Sequence, residues 1–186
     1  MATRSLSEIK FLSMRFADFR VWTEGDSYVS GSGGASFDAG LRGQGITLAS
    51  TAVGGASMTD IRDRLIANKS TIRKCNLLVV WDGSHNGYVD AESYVDLLQE
   101  GLDAVGIDFI VIPAAIPYGA TDSGQIAIRD EFEARWPGKV CDWRDYIPNT
   151  GGVIDQNRML NYPTDSTHLN QTAYDEAAAG VAGMIP

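Results

Sequence analysis

Three side chains near opposite ends of the chain are of the types needed for acyl transfer. They are Ser27 in "TEGDSY", and Asp165 and His168 in "PTDSTHLN". A serine hydroxyl becomes a competent nucleophile when an adjacent base removes its proton. Imidazole ordinarily titrates near neutral pH. A carboxylate beside it can hold its tautomer and stabilise its cation. The same chemistry needs donors aimed at the oxygen that becomes negative. Gly54 and Gly55 in "STAVGGASM" and Asn86 in "WDGSHNGY" can supply them. Glycine lets a backbone N–H come close, and an asparagine amide donates from its side chain.

Such residues work only if elements bring them together. Five strand-like runs recur along the chain: 18–24, 45–50, 76–83, 108–116 and 139–147. The third and fourth are apolar at successive positions, as strands covered on both faces should be. Between them the period changes. Residues 57–69 place Ile61 and Leu65 four apart. Residues 90–106 align Val95, Leu98, Leu102 and Val105, with Asp90 as N-cap and Gly106 as the stop. Residues 123–138 align Ile128, Phe132 and Trp136, and 169–185 align Leu169, Ala173, Ala177 and Val181. Alternating strands and helices predict an α/β fold: a mainly parallel five-stranded sheet between two helical layers. The Gly-rich segment 31–45 reads as a loop. Ligands bind at the carboxyl ends of such strands, which is where Ser27, the Gly54-Gly55 pair and Asn86 fall.

Each of these residues also has a plainer reading. Ser27 fits a turn or a helix cap, and Asp165 or Ser166 fits the N-cap of the last helix. His85 is the only rival base, but no acid stands at a matching offset, which favours a structural or substrate-contact role. Asp26 suits a brace for its loop better than a metal ligand. Gly31, Gly33 and Gly34 lack the lysine of a P-loop and do not complete a dinucleotide fingerprint. Trp22, Trp81, Trp136 and Trp143 fit core packing better than a sugar platform.

Composition narrows the function. The 186 residues suit one domain spanning 1–186. A net charge of −9 and a pI of about 4.6 disfavour nucleic acid and anionic lipid as partners. Neutral esters and glycans meet no such repulsion. No stretch reaches the roughly 18 apolar residues of a membrane span. No secretory signal is evident, so a cytoplasmic location is the default expectation. Cys75 and Cys141 read as small core residues, not a disulfide. With two histidines and neither CxxC nor HExxH, no zinc site is expected.

Taken in order, "GDS" at 25–27, "GG" at 54–55, "GSHN" at 83–86 and "DSTHL" at 165–169 resemble the consensus blocks of the SGNH hydrolases, the GDSL esterase/lipase superfamily. The blocks span nearly the whole chain. The resemblance implies a flavodoxin-like sheet order and a serine esterase without metal or organic cofactor. Ser27 would be nucleophile, His168 general base and then acid, and Asp165 its orienting partner. The N–H groups of Ser27 and Gly55, or Gly54 one position earlier, and the Asn86 amide would form the oxyanion hole. The sequence departs from the family pattern twice. Tyr28 replaces the usual leucine, a position that packs. The third block carries an extra residue and lacks its second acid.

A short chain without a large apolar lid favours small acyl groups, foremost O-acetyl on a carbohydrate. The alternatives within the superfamily are a lysophospholipase, thioesterase or arylesterase. The alternative outside catalysis is a decayed glycan-binding or structural module.

Overall fold

The computed structural model describes residues 19–81, 90–115 and 123–185. Four parallel strands form its main sheet: β1 (Arg20–Gly25), β2 (Thr47–Ser50), β3 (Leu77–Trp81) and β4 (Phe109–Ile112), in the order β2-β1-β3-β4. The register sets Val21 beside both Leu48 and Leu77, and Val80 beside Val111. All five residues of β3 are buried, which explains its uninterrupted apolar run.

Alternate residues of the strands feed two separate cores. Val21, Val79, Trp81, Ile110 and Ile112 face α2 (Phe37–Gly43) and α6 (Gln171–Met184). Trp22, Leu78, Val80 and Val111 face α3 (Met58–Ile72), α4 (Ala91–Val105) and α5 (Ser123–Arg135). The predicted three layers are therefore present. So is the capping of α4, where Asp90 accepts from the Ser93 N–H and Gly106 ends the helix in the left-handed conformation. All four tryptophans are buried, Trp136 being the most exposed of them at 7%. Both cysteines are free.

Three expectations are corrected. The fifth strand over 139–147 shrinks to a single parallel bridge between Val111 and Val140. Asp142 ends it, because its carboxylate accepts the Arg144 N–H and opens a 3-10 turn over Trp143–Asp145. The segment 31–45 is not all loop. It contains α2, capped by the Ser36 hydroxyl, and Gly40 lets this helix close on α6: a Cβ there would meet the Tyr174 carbonyl at 2.8 Å. Glycines at 40 and 43 weaken the helical signal, and packing overrides it. The last block does not cap α6 but forms its own strand. Here β8 (Asp165–Leu169) pairs antiparallel with β7 (Met159–Asn161). Two further short strands, β5 (Asn149–Thr150) and β6 (Val153–Ile154), make a hairpin before it.

Candidate active site

The site begins where β1 meets β3. Gly25 closes β1 against Trp81, and a Cβ there would lie 2.1 Å from the Trp81 carbonyl oxygen. Only a residue without a side chain lets the chain turn at this point. Asp26 follows, fully buried. Its carboxylate accepts the Tyr28 N–H at 2.9 Å, and its carbonyl accepts from Val29 and Ser30. It thus caps the one-turn helix α1 (Ser27–Ser30) and acts as the expected brace. Ser27 is the first residue of that turn and stands half-buried at the sheet edge.

Strand β8 delivers the partners. Ser27 Oγ lies 2.9 Å from His168 Nε2, and His168 Nδ1 lies 2.9 Å from Asp165 Oδ2. The tautomer that satisfies both contacts carries its proton on Nδ1, donates it to Asp165 and accepts the Ser27 hydroxyl at Nε2. Asp165 Oδ1 in turn accepts the N–H groups of Thr167 at 3.0 Å and His168 at 2.9 Å. Partial burial pushes the Asp165 carboxyl up. The two N–H groups and the imidazole outweigh it and hold the carboxyl below the usual range. Asp165 and His168 keep 24% and 22% of their side-chain surface exposed, so the trio opens to solvent.

The strand is anchored twice at its carboxyl end. Leu169 is fully buried and pairs with Met159. Asn170 caps α6 through the Ala173 N–H and donates to the Asn157 carbonyl. Asn170, not Asp165 or Ser166, is therefore the cap. Tyr28 makes a tie that the sequence reading missed. It packs as expected, with its ring 5.4 Å from Trp81 and 6.1 Å from His168. Its hydroxyl also donates to the Thr167 carbonyl at 2.5 Å, joining α1 to β8. The available signal was the phenol itself, since a buried tyrosine hydroxyl usually finds an acceptor.

The glycine pair sits on the same edge. The Val53 N–H donates to the Gly25 carbonyl at 3.2 Å, and the Ala56 N–H closes a turn onto Val53 at 3.1 Å. Gly55 holds the third position of that turn with φ +76°, the conformation a type II turn requires. Gly54 stands against Ser27: a Cβ there would be 3.6 Å from Ser27 Cβ, whereas one at Gly55 would meet open space. Asn86 and His85 lie outside the described residues. Among the described residues, no group of three or more histidine, cysteine or acidic side chains is placed to hold a metal. No described helix is long and apolar enough to cross a membrane.

No family model and no curated protein matches the chain by sequence. Solved structures match it by shape. A protein assigned to the lipolytic G-D-S-L family from Desulfitobacterium hafniense DCB-2 superposes with a TM-score of 0.71 at 15% identity, covering 90% of this chain and 100% of its own. A G-D-S-L family member from Veillonella parvula DSM 2008 gives 0.65 at 13%, covering 89% and 97%. A carbohydrate esterase family 3 protein from Talaromyces cellulolyticus gives 0.62 at 14%, covering 89% and 95%. The chain therefore has the fold of the superfamily that its four sequence blocks resemble.

Proposed function

We propose that this chain, with the fold of the G-D-S-L lipolytic proteins, is a serine-dependent carboxylic ester hydrolase of the SGNH superfamily. The observation that carries the reading is the unbroken line from Ser27 Oγ through His168 to Asp165, each contact 2.9 Å long. In the first half-reaction His168 Nε2 takes the Ser27 proton as Oγ attacks the ester carbonyl carbon. The carbonyl oxygen becomes negative, and His168 returns the proton to the departing alcohol. An acyl-serine remains. In the second half-reaction His168 takes a proton from water, the hydroxide attacks the acyl carbon, and Ser27 leaves with the proton as the free acid departs. Asp165 steadies the imidazolium in both steps. The Ser27 N–H at the start of α1, an N–H of the 54–55 turn and the Asn86 amide are the oxyanion donors in this scheme. Gly54 is the glycine nearer Ser27, and a substrate carbonyl bound there fits this neighbourhood.

The substrate class proposed is a small acyl ester, foremost O-acetyl on a carbohydrate. The carbohydrate esterase among the similar structures supports it. The test is hydrolysis of p-nitrophenyl acetate, octanoate and an acetylated oligosaccharide by the wild type and by Ser27→Ala. The expected result is turnover of acetate esters, at least as fast as octanoate, lowered by roughly 10³-fold or more in the variant. Equal rates for wild type and variant would end the hydrolase reading. A strong preference for octanoate would replace the deacetylase by a lipase.

A further inference from the structure

The residue before the Gly-Asp-Ser turn has a role that the four blocks do not include. Glu24 is fully buried at the end of β1. Arg64 of α3 reaches its Oε1 with Nη2 at 2.7 Å and Nε at 2.9 Å. The Gly25 N–H donates to the same oxygen at 3.0 Å. Thr51, at the entry to the glycine turn, donates its hydroxyl to Oε2 at 2.5 Å. Arg64 Nη2 also donates to the Gly25 carbonyl at 3.0 Å, the carbonyl that accepts the Val53 N–H. One carboxylate thus gathers donors from the nucleophile turn, the glycine loop and helix α3.

A buried ion pair is weak evidence for stability, because apolar residues of similar volume often serve as well. Its geometry is the stronger argument. Hydrogen bonds to a charged acceptor are short and directional. Here they fix two segments that a hydrolase must hold in register, the one bearing the hydroxyl and the one bearing backbone donors. We infer that Glu24, oriented by Arg64, is a positioning residue that sets the placement of Ser27 relative to the 53–56 turn. This rests on the hydrolase reading. It touches neither substrate nor reacting atoms. It acts on the rate because a misplacement of about 1 Å at such a site can cost roughly 100-fold.

Glu24→Gln strips Arg64 of its buried counter-ion and endangers the fold, so the test uses Thr51, which is only half-buried. Thr51→Val keeps the shape and removes one donor while leaving the Glu24–Arg64 pair intact. Thr51→Ser restores the hydroxyl. With p-nitrophenyl acetate, Thr51→Val should lose about 5- to 30-fold in kcat with KM within about twofold, and Thr51→Ser should recover to within about twofold of wild type. Amide hydrogen exchange over residues 25–31 and 51–56 should quicken in Thr51→Val about tenfold and leave α4 unchanged. An unaltered kcat in Thr51→Val, or a loss that serine does not recover, overturns the inference. If instead the wild type hydrolyses no ester, the hydrolase reading falls. The exchange data then still decide whether Glu24 couples the two loops, and unaltered exchange refutes that coupling.

Discussion

Asp165 holds His168 by two different means, and this sets what its replacement will do. One oxygen meets the imidazole Nδ1, and the other accepts two backbone N–H groups of its own strand. Asp165→Asn keeps an acceptor for the backbone but offers the ring either a donor or a weaker acceptor. The tautomer with a proton on Nε2 then gains, and that form cannot accept from Ser27. The expected loss in kcat/KM is on the order of 10²–10⁴ with little change in KM. Steady-state kinetics with circular dichroism checks both the loss and the intact fold. The lowered Asp165 acidity also fixes a sign. A depressed carboxyl contributes above its unfolded range and loses that contribution only as pH falls through the lower folded value. Asp165 therefore stays ionised throughout the ordinary carboxylate range. In a pH profile of log kcat/KM the protonation of Asp165 should show only below the ordinary carboxylate range, and a break within that range that Asp165→Asn removes would contradict this assignment. The trio was legible because residue type and order carry it. Gly54 as the neighbour of Ser27, and the tie from Tyr28 to Thr167, were not, because both depend on how the chain closes in space.

At the level of elements, the site depends on two short pieces with little local signal, α1 and β8. Helix α1 has one turn and needs the Asp26 cap. Strand β8 is buried only at its last residue, without the alternation that reveals a strand, and it borrows its order from β7 and from Asn170. Helix α4 was readable to within a residue at each end because its caps and its apolar stripe agree. The fifth strand was misjudged because Val140 and Cys141 supply apolar character for only two residues before Asp142 turns the chain. Asn170→Ala removes both the cap of α6 and the bond to Asn157. A cost of about 1–2 kcal/mol is expected in urea unfolding. A drop in kcat/KM should accompany it, since β8 loses its anchor. Unchanged stability would mean that water replaces both bonds without penalty.

Across the whole molecule, the fold unites residues 141 positions apart in sequence, Ser27 and His168, at the carboxyl edge of β1. The parallel order β2-β1-β3-β4 puts the ends of β1 and β2 side by side, which is why two of the blocks meet there. The parallel layering was legible from alternating elements, and the sheet order from the family resemblance. Asn86, read from the sequence as an oxyanion donor, lies outside the described residues. The cores also set the reactivity of the thiols. Burial, with Asp142 and Asp145 nearby, pushes the Cys141 thiol up to about 12, and burial raises Cys75 as well. At pH 8 the Cys141 thiolate fraction is then about 10⁻⁴. Iodoacetamide should leave hydrolysis of p-nitrophenyl acetate by the native protein unchanged and Cys141 unmodified by mass spectrometry. Loss of activity with stoichiometric alkylation would point to a thiol in the chemistry.

The central claim is that the Ser27 hydroxyl, activated by His168, is the group that takes the acyl chain. A fluorophosphonate probes it without knowledge of the substrate, because the phosphorus traps an activated hydroxyl and mimics the tetrahedral stage. Intact-mass and peptide analysis should find one adduct per chain, on Ser27, formed at least about 100-fold more slowly in His168→Asn. An adduct on another residue, or labelling of Ser27 at the same rate without the imidazole, would contradict the account.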